Sequence, residues 1–180
     1  RDQPLGISGC GGVLLALSHI GKDEWVEELI QFSREKFIQS DQQLDFIGGC
    51  SGLIGPLLNH GSEHALDIAV QAGNHLLEQQ NEDGSWPLLS LPRNVGLVGL
   101  SHGTSGTLAA LAHLHKQTGE ERFLSSAKLA LAYERNLFDE TVGNWPDLRD
   151  LTTAVDAKNF MTSWCHGAPG IGLSRLSICS

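Results

Sequence analysis

The chain has 180 residues, of which 41% are hydrophobic and 18% charged, a composition typical of a folded globular protein and not of a disordered segment. Its net charge is −9 and its twelve Lys and Arg residues are scattered along the sequence, which excludes an electrostatic binder of nucleic acid. No apolar run approaches the ~20 residues that span a bilayer, so we predict no transmembrane segment and no nucleic-acid partner.

A glycine-rich turn followed by an apolar run occurs four times along the chain. The runs are short, rich in small residues and nearly uncharged, as buried helices are. A constant turn with spacers of different length predicts one repeating structural unit. In chain order the turns and the runs after them are Gly9–Gly12 before Val13–Leu17, Gly49–Gly52 before Leu53–Leu58, Gly103–Gly106 before Thr107–Leu111, and Gly167–Gly170 before Ile171–Ile178.

Longer amphipathic segments lie between these turns, at Asp23–Gln39, Asp67–Gln80 and Glu120–Leu137. Their apolar residues recur near a period of 3.6 with the charges on the other side, which predicts helices that cover a core. Alternating buried and amphipathic helices predict an all-α fold. The specific prediction is an incomplete α/α toroid of about four helix pairs, with inner helices around an axis and outer helices wrapped on them. Spacers 84–98 and 139–160 leave room for short strands.

The four cysteines lack the close, even spacing of a disulfide framework. Reduced thiols in a cytoplasmic protein are therefore predicted. Cys10 and Cys50 each lie two residues before the last glycine of a turn, and we interpret both as small packing residues.

Side chains capable of catalysis or metal binding lie just upstream of the glycine turns. Relative to the last glycine of its turn, His102 and His166 are four residues earlier, Cys165 five and Asp45 seven. Because each turn begins an inner helix, these four side chains are predicted to meet at one mouth of the toroid. Helix N-termini at that mouth favour thiolates and other anions.

Each of the four also has a purely structural interpretation. Cys165 can be a buried packing residue, which is a common fate of a lone cysteine. His102 can bond a helix end, Asp45 can cap a turn, and His166 can hydrogen-bond a neighbouring turn.

Four motifs occur in order along the chain: Leu44–Gly49, Gly99–Gly103, Asn144–Arg149 and Ser163–Gly170. Together they resemble the lanthionine synthetase C-like family, and the resemblance covers essentially all 180 residues. Within that family, the sequence is most similar to the cyclase half of class II lanthipeptide synthetases. The resemblance implies that residues 1–180 are part of a single cyclase domain, truncated at both ends, in a bacterial parent chain with an N-terminal dehydratase domain.

The resemblance also implies an activity. Such enzymes add a cysteine thiol of a dehydrated precursor peptide to dehydroalanine or dehydrobutyrine, which closes a (methyl)lanthionine ring in lanthipeptide (lantibiotic) biosynthesis. By the same resemblance Cys165 matches a ligand of Zn²⁺, His102 the active-site histidine and Asp45 an acid–base aspartate, and His166 is a further candidate. The remaining zinc ligands are expected beyond Ser180, so the isolated chain is expected to be inactive.

Two other functions stay open at this point. One is a helical toroid that binds a peptide or a thiol without catalysis. The other is a different α/α-toroid enzyme, such as a glycan hydrolase, which needs two opposed carboxylates at the mouth. Asp45 is well placed for that chemistry, whereas Asp147 and Asp150 lie in a spacer of undetermined course.

Overall fold

A computed structural model of the chain describes residues 4–32, 35–88, 96–149 and 159–179. These residues form eight helices and no strand, which confirms the prediction of an all-α fold. None of the described helices has both the length and the apolar composition needed to cross a membrane. The helices are α1 (Cys10–His19), α2 (Asp23–Phe32), α3 (Glu35–Gln39), α4 (Ser51–His60), α5 (Glu63–Gln79), α6 (Thr104–Thr118), α7 (Glu121–Leu137) and α8 (Ala168–Cys179).

Isolated β-bridges, and no strands, occur in the described part of the second long spacer and just after it. These bridges join Asp139 to Asn144, Pro146 to Phe160 and Thr162 to Gly167. Residues 89–95 and 150–158 of the spacers lie outside the described residues.

The helices form two layers. Inner helices α1, α4, α6 and α8 pack side by side in that order, and α2, α5 and α7 each pack on the inner helix that precedes them. The predicted α/α toroid is confirmed, with three inner–outer pairs and the inner helix α8 in the described part. The predicted helix over 23–39 is described as two helices, and the short α3 packs on α5.

The core lies between the layers. α4 contributes Leu53, Ile54 and Leu57, and α2 contributes Val26 and Ile30, all fully buried. α6 is buried almost all round along its first eleven residues, because it packs on α4, α7 and α8 at once. Buried apolar helices of this kind match the uncharged runs of the sequence.

The last glycine of three turns is required by close packing. Its Cα lies against the backbone carbonyl of the residue six positions earlier, where a Cβ would overlap the oxygen. The loop before each of these three inner helices therefore folds back on the first turn of its helix. The residues between the carbonyl and the glycine are thereby held at the helix start. The three contacts are Gly52 on Phe46, Gly106 on Leu100 and Gly170 on Trp164.

Candidate functional site

Backbone hydrogen bonds join the loops that precede the four inner helices. The N–H of Ile7 donates to Phe46 O at 3.1 Å, that of Ile47 to Ser101 O at 3.3 Å, and that of Ser101 to Cys165 O at 3.2 Å. Ser101 Oγ donates to the same Cys165 carbonyl at 3.0 Å. These bonds bring loops 44–49, 99–103 and 163–167 together at one end of the inner helices, and we call this end the mouth.

Asp45 and His102 form a hydrogen-bonded pair at the mouth. His102 Nδ1 lies 2.7 Å from Asp45 Oδ2, and Asp45 Oδ1 accepts the N–H of Gly48 at 2.7 Å. The Asp45 side chain is 7% exposed and the His102 side chain 40%. Because an ionised carboxylate only accepts hydrogen bonds, Nδ1 carries the proton and Nε2 is the nitrogen available for chemistry. The pair is therefore suited to proton transfer.

Asp41 holds the loop that carries Asp45, a role that sequence analysis missed. Its carbonyl oxygen accepts a hydrogen bond from His75 Nε2 at 2.8 Å, which ties the loop to α5. Leu44 is buried and adopts φ 60°, a left-handed conformation that is rare for a residue with a Cβ. Aspartate favours turns because its carboxylate can accept the N–H of the residue two positions later, so Asp41 itself is the sequence signal that could have found this turn. The Asp41 carboxylate accepts the N–H groups of Gln43 at 3.0 Å, Leu44 at 3.2 Å and Cys50 at 2.7 Å.

His166 lies beside His102, with ring centroids 6.0 Å apart and ring planes inclined by 24°. It is 7% exposed. Burial lowers the pKa of His166 most, and the Arg149 cation and His102 lower it further, against the opposing effect of the Asp147 carboxylate. The ordinary pKa of histidine, 6.5, is already below 7, and that of His166 is lower still. His166 is therefore neutral at pH 7.

Cys165 lies at the same mouth and is partly exposed. Its Sγ is 3.2 Å from Ser163 Oγ, and that hydroxyl donates to the carbonyl of His166 at 3.1 Å. Since the Cys165 carbonyl also binds Ser101, the loop is fixed on both sides of the thiol. The structure thus brings all four predicted site residues to one mouth. Cys10 and Cys50 are buried, and burial above all raises the pKa of the Cys50 thiol.

An ion pair that sequence analysis did not assign to the site also lies at the mouth. Arg149 donates to Asp147 through Nε at 2.9 Å and through Nη2 at 2.6 Å, and Nη2 contacts Met161 Sδ at 2.7 Å. These bonds are the main cause of the lowered pKa of Asp147 and of the raised pKa of Arg149. Cys165 also contributes to the raised pKa of Arg149. No local spacing signals the approach of this spacer to the Cys165 loop. Asp150 lies outside the described residues.

The described residues do not form a complete zinc site. No group of three or more His, Cys, Asp and Glu side chains among them is arranged to hold a metal ion. Cys165 offers one accessible thiol, whereas His102 is already engaged by Asp45 through Nδ1. This part of the chain thus supplies one suitable donor and does not by itself fit the zinc site that the resemblance implies, because catalytic zinc usually has three protein ligands.

An apolar cavity of about 460 Å³ runs along the inner helices below the mouth. Phe46 and Leu100, which belong to the loops of Asp45 and His102, line one end of it, and Leu15 and Leu173 line its sides. The cavity therefore offers room for apolar side chains against the loops that carry the pair.

Comparison with known proteins identifies the family of the chain and two relatives. The sequence model for lanthionine synthetase C-like proteins matches residues 4–180. The nisin biosynthesis protein NisC of Lactococcus lactis subsp. lactis is 25% identical over 211 residues, which cover 94% of this chain and 50% of NisC. The glutathione S-transferase LANCL1 of Danio rerio is 26% identical over 105 residues, which cover 58% of this chain and 24% of LANCL1. The chain thus spans half or less of the length of these relatives.

A solved structure supports the fold. The structure of nisin cyclase superposes with a TM-score of 0.75 at 23% identity, covering 97% of this chain and 53% of that protein. At this identity the likeness shows the shared toroid fold alone.

Proposed function

The chain belongs to the lanthionine synthetase C-like family, whose sequence model matches residues 4–180, and on that premise we propose that its mouth catalyses thioether ring closure. The substrate of the proposed reaction is a dehydrated peptide, in which a cysteine thiol adds to dehydroalanine or dehydrobutyrine to form (methyl)lanthionine. The observation that carries the proposal is the 2.7 Å hydrogen bond between His102 and Asp45, which leaves Nε2 available for proton transfer.

The proposed reaction needs one proton to move twice. His102 Nε2 accepts the proton of the substrate thiol, and the sulfur forms a bond to the β-carbon of the alkene. The alkene electrons move onto the α-carbon and its carbonyl as an enolate. The imidazolium then returns the proton to the α-carbon, so that the ring closes without net proton uptake. Asp45 stabilises the imidazolium through the same hydrogen bond.

His166 complements this role by staying neutral. Two imidazolium ions with ring centroids 6.0 Å apart would repel each other, and the lowered pKa of His166 avoids that state. His102 is then the histidine that carries the charge during the reaction, and His166 lines the site as a neutral imidazole.

Zinc is part of the proposal, with Cys165 as one ligand and the remaining ligands supplied by residues that are not in this sequence. Bound there, zinc would lower the pKa of the substrate thiol, whose value in water is about 8.5. Ser163 fixes the orientation of the ligand, because its Oγ lies 3.2 Å from Cys165 Sγ.

Two partners are proposed. A dehydrated precursor peptide is the substrate, and the apolar cavity below the mouth suits its apolar side chains. Following the class II resemblance, a dehydratase domain elsewhere in the parent chain supplies the dehydrated residues, in a bacterial cytoplasm where substrate thiols stay reduced.

A glycan hydrolase fits the mouth less well. Such an enzyme needs one carboxylic acid with a raised pKa opposite a second carboxylate. The pKa of Asp147 is lowered, chiefly by Arg149, and Asp45 is bonded to His102. Neither carboxylate therefore has the environment of a general acid.

The test is ring closure by the complete natural protein with zinc present. The substrate is a synthetic peptide with one cysteine and one dehydroalanine, and a matched peptide with alanine in place of dehydroalanine is the control. Ring closure removes the reactive thiol without changing the peptide mass, which alkylation followed by mass spectrometry detects. A thiol that stays alkylatable at the uncatalysed rate would refute the proposal. In a parallel assay with added glutathione, a glutathione adduct of the dehydroalanine without ring closure would also refute the proposal, in favour of addition of an external thiol.

A further inference from the structure

Arg149 is a fixed cation at the mouth that the proton transfer described above does not use. Its fork of two hydrogen bonds to Asp147, at 2.9 and 2.6 Å, holds the guanidinium in one plane. Nη2 also contacts Met161 Sδ at 2.7 Å, in the loop segment that leads to Cys165.

The segment that carries Arg149 is tied to both ends of the Cys165 loop. Asn144 Nδ2 donates to Met161 O at 3.0 Å, and Asn144 Oδ1 accepts the N–H of Ala168, the first residue of α8, at 3.1 Å. The N–H of Asp147 donates to Asn159 O at 2.7 Å. The position of the guanidinium relative to Cys165 is therefore set by the fold and not by a mobile side chain alone.

The guanidinium keeps donors for a ligand. Its bonds to Asp147 and Met161 use Nε and Nη2, and within the described residues Nη1 has no hydrogen-bond partner. The Arg149 side chain is 42% exposed, whereas that of Asp147 is 11% exposed. The guanidinium is thus the more accessible member of the pair, and its Nη1 N–H groups and positive charge remain available to a ligand.

We propose that Arg149 Nη1 donates a hydrogen bond to the carbonyl oxygen of the substrate's dehydro residue. Negative charge develops on that oxygen as the thiolate sulfur adds to the β-carbon. A planar, permanently charged donor suits an oxygen that gains charge in the transition state, and Asp147 orients it in advance. Arg149 is then a catalytic residue of the mouth, opposite in role to His102, which moves the proton.

This inference rests on the proposed function, and one set of measurements separates the two. Ring closure is measured in the complete natural protein with Arg149 intact, with Arg149→Gln, and with Arg149→Lys. The matched control is Arg122→Gln, because Arg122 forms a similar arginine–carboxylate pair with Glu120, at 2.6 Å and 47% exposure, on the outer helix α7. Zinc content and thermal unfolding are measured for every variant.

Arg149→Gln should lower kcat about 100-fold, the effect of removing one donor to a developing oxyanion, while KM and zinc content stay at the wild-type values. Arg149→Lys, which keeps the charge but loses the fork, should fall between glutamine and arginine. Arg122→Gln should behave as wild type. A group that only supports the fold would lower the unfolding temperature and would not separate kcat from KM.

A wild-type kcat in Arg149→Gln, or a change confined to KM, would overturn the role of Arg149 and leave the cyclase proposal standing. Should Arg149→Gln fail to fold, a wild-type kcat in Arg149→Lys would overturn it in the same way. No ring closure by the wild-type protein would instead refute the proposed function, and this inference with it.

Discussion

Replacing Asp41 with alanine should displace Asp45 although the two side chains have different partners. The Asp41 carboxylate accepts three backbone N–H groups of the loop, and its effect reaches Asp45 through Leu44, whose φ of 60° is held by one of those bonds. Without the carboxylate, Leu44 loses the hydrogen bond that stabilises its left-handed conformation. The loop should relax and move Asp45 away from His102.

The expected cost follows from the three lost hydrogen bonds. The donor of Cys50, which is fully buried, is left without its acceptor at a cost of about 1–3 kcal/mol. The hydrogen bond of Gln43 is exposed and that of Leu44 only partly buried, so each loss costs about 0.5 kcal/mol. We expect Asp41→Ala to lower the free energy of unfolding by about 2–4 kcal/mol in total. Ring closure should fall by tenfold or more, about the effect of a small misplacement of a catalytic group.

Urea denaturation and the alkylation assay measure the two effects on the complete natural protein. The control is Asp139→Ala, because Asp139 accepts the N–H groups of Thr141 at 3.1 Å and Val142 at 3.4 Å in an exposed turn. It should cost less than about 1 kcal/mol and leave ring closure intact. Equal stability losses in the two variants, or full activity in Asp41→Ala, would contradict the role given to Asp41.

Further predictions concern the buried charges and the metal ligand. Glu134 is fully buried and pairs with Arg175 at 2.7 Å, so Glu134→Gln should lower the free energy of unfolding in urea by about 2–4 kcal/mol, since Arg175 is 27% exposed and less penalised than a fully buried partner. Because Arg149 holds the pKa of Asp147 below its ordinary 3.8, the stabilisation is fully present above that pH and is lost as the pH falls through the lower folded-state value. The stability difference between wild type and Asp147→Asn should accordingly be constant down to about pH 5 and shrink below about pH 4. Cys165→Ala should abolish stoichiometric zinc in the complete natural protein, as measured by elemental analysis; full zinc occupancy would rule out Cys165 as a ligand.

Local sequence patterns account for much of the fold. The last glycine of a turn has a backbone carbonyl where a Cβ would lie, so Gly52, Gly106 and Gly170 mark the starts of inner helices reliably. Once those starts share one end, residues a few positions upstream must share it too. The meeting of His102 with Asp45 follows from this geometry.

What the sequence did not reveal depends on contacts between distant segments. Arg149 and Met161 meet because Asn144 bonds the Cys165 loop, and no local period encodes that contact. Periodicity also overestimated the buried face of the first outer helix, because Trp25 and Phe32 share its apolar pattern yet are 55% and 54% exposed. Apolar spacing predicts a face of a helix but not how much of that face a neighbouring helix covers.

The most direct test of the account is ring closure by the complete natural protein with His102 replaced by asparagine. Asparagine keeps a polar side chain of similar reach but cannot accept and return the substrate proton. The matched control is His115→Asn, because His115 lies in the last turn of α6, at the opposite end of that helix from His102, where its Nδ1 bonds Glu120 O at 3.1 Å. The account predicts that His102→Asn keeps its zinc, its fold and its affinity for the peptide but loses enzyme-dependent ring closure, while His115→Asn retains it. Wild-type ring closure by His102→Asn would contradict the central claim, and loss of zinc from that variant would make His102 a metal ligand and not the proton carrier.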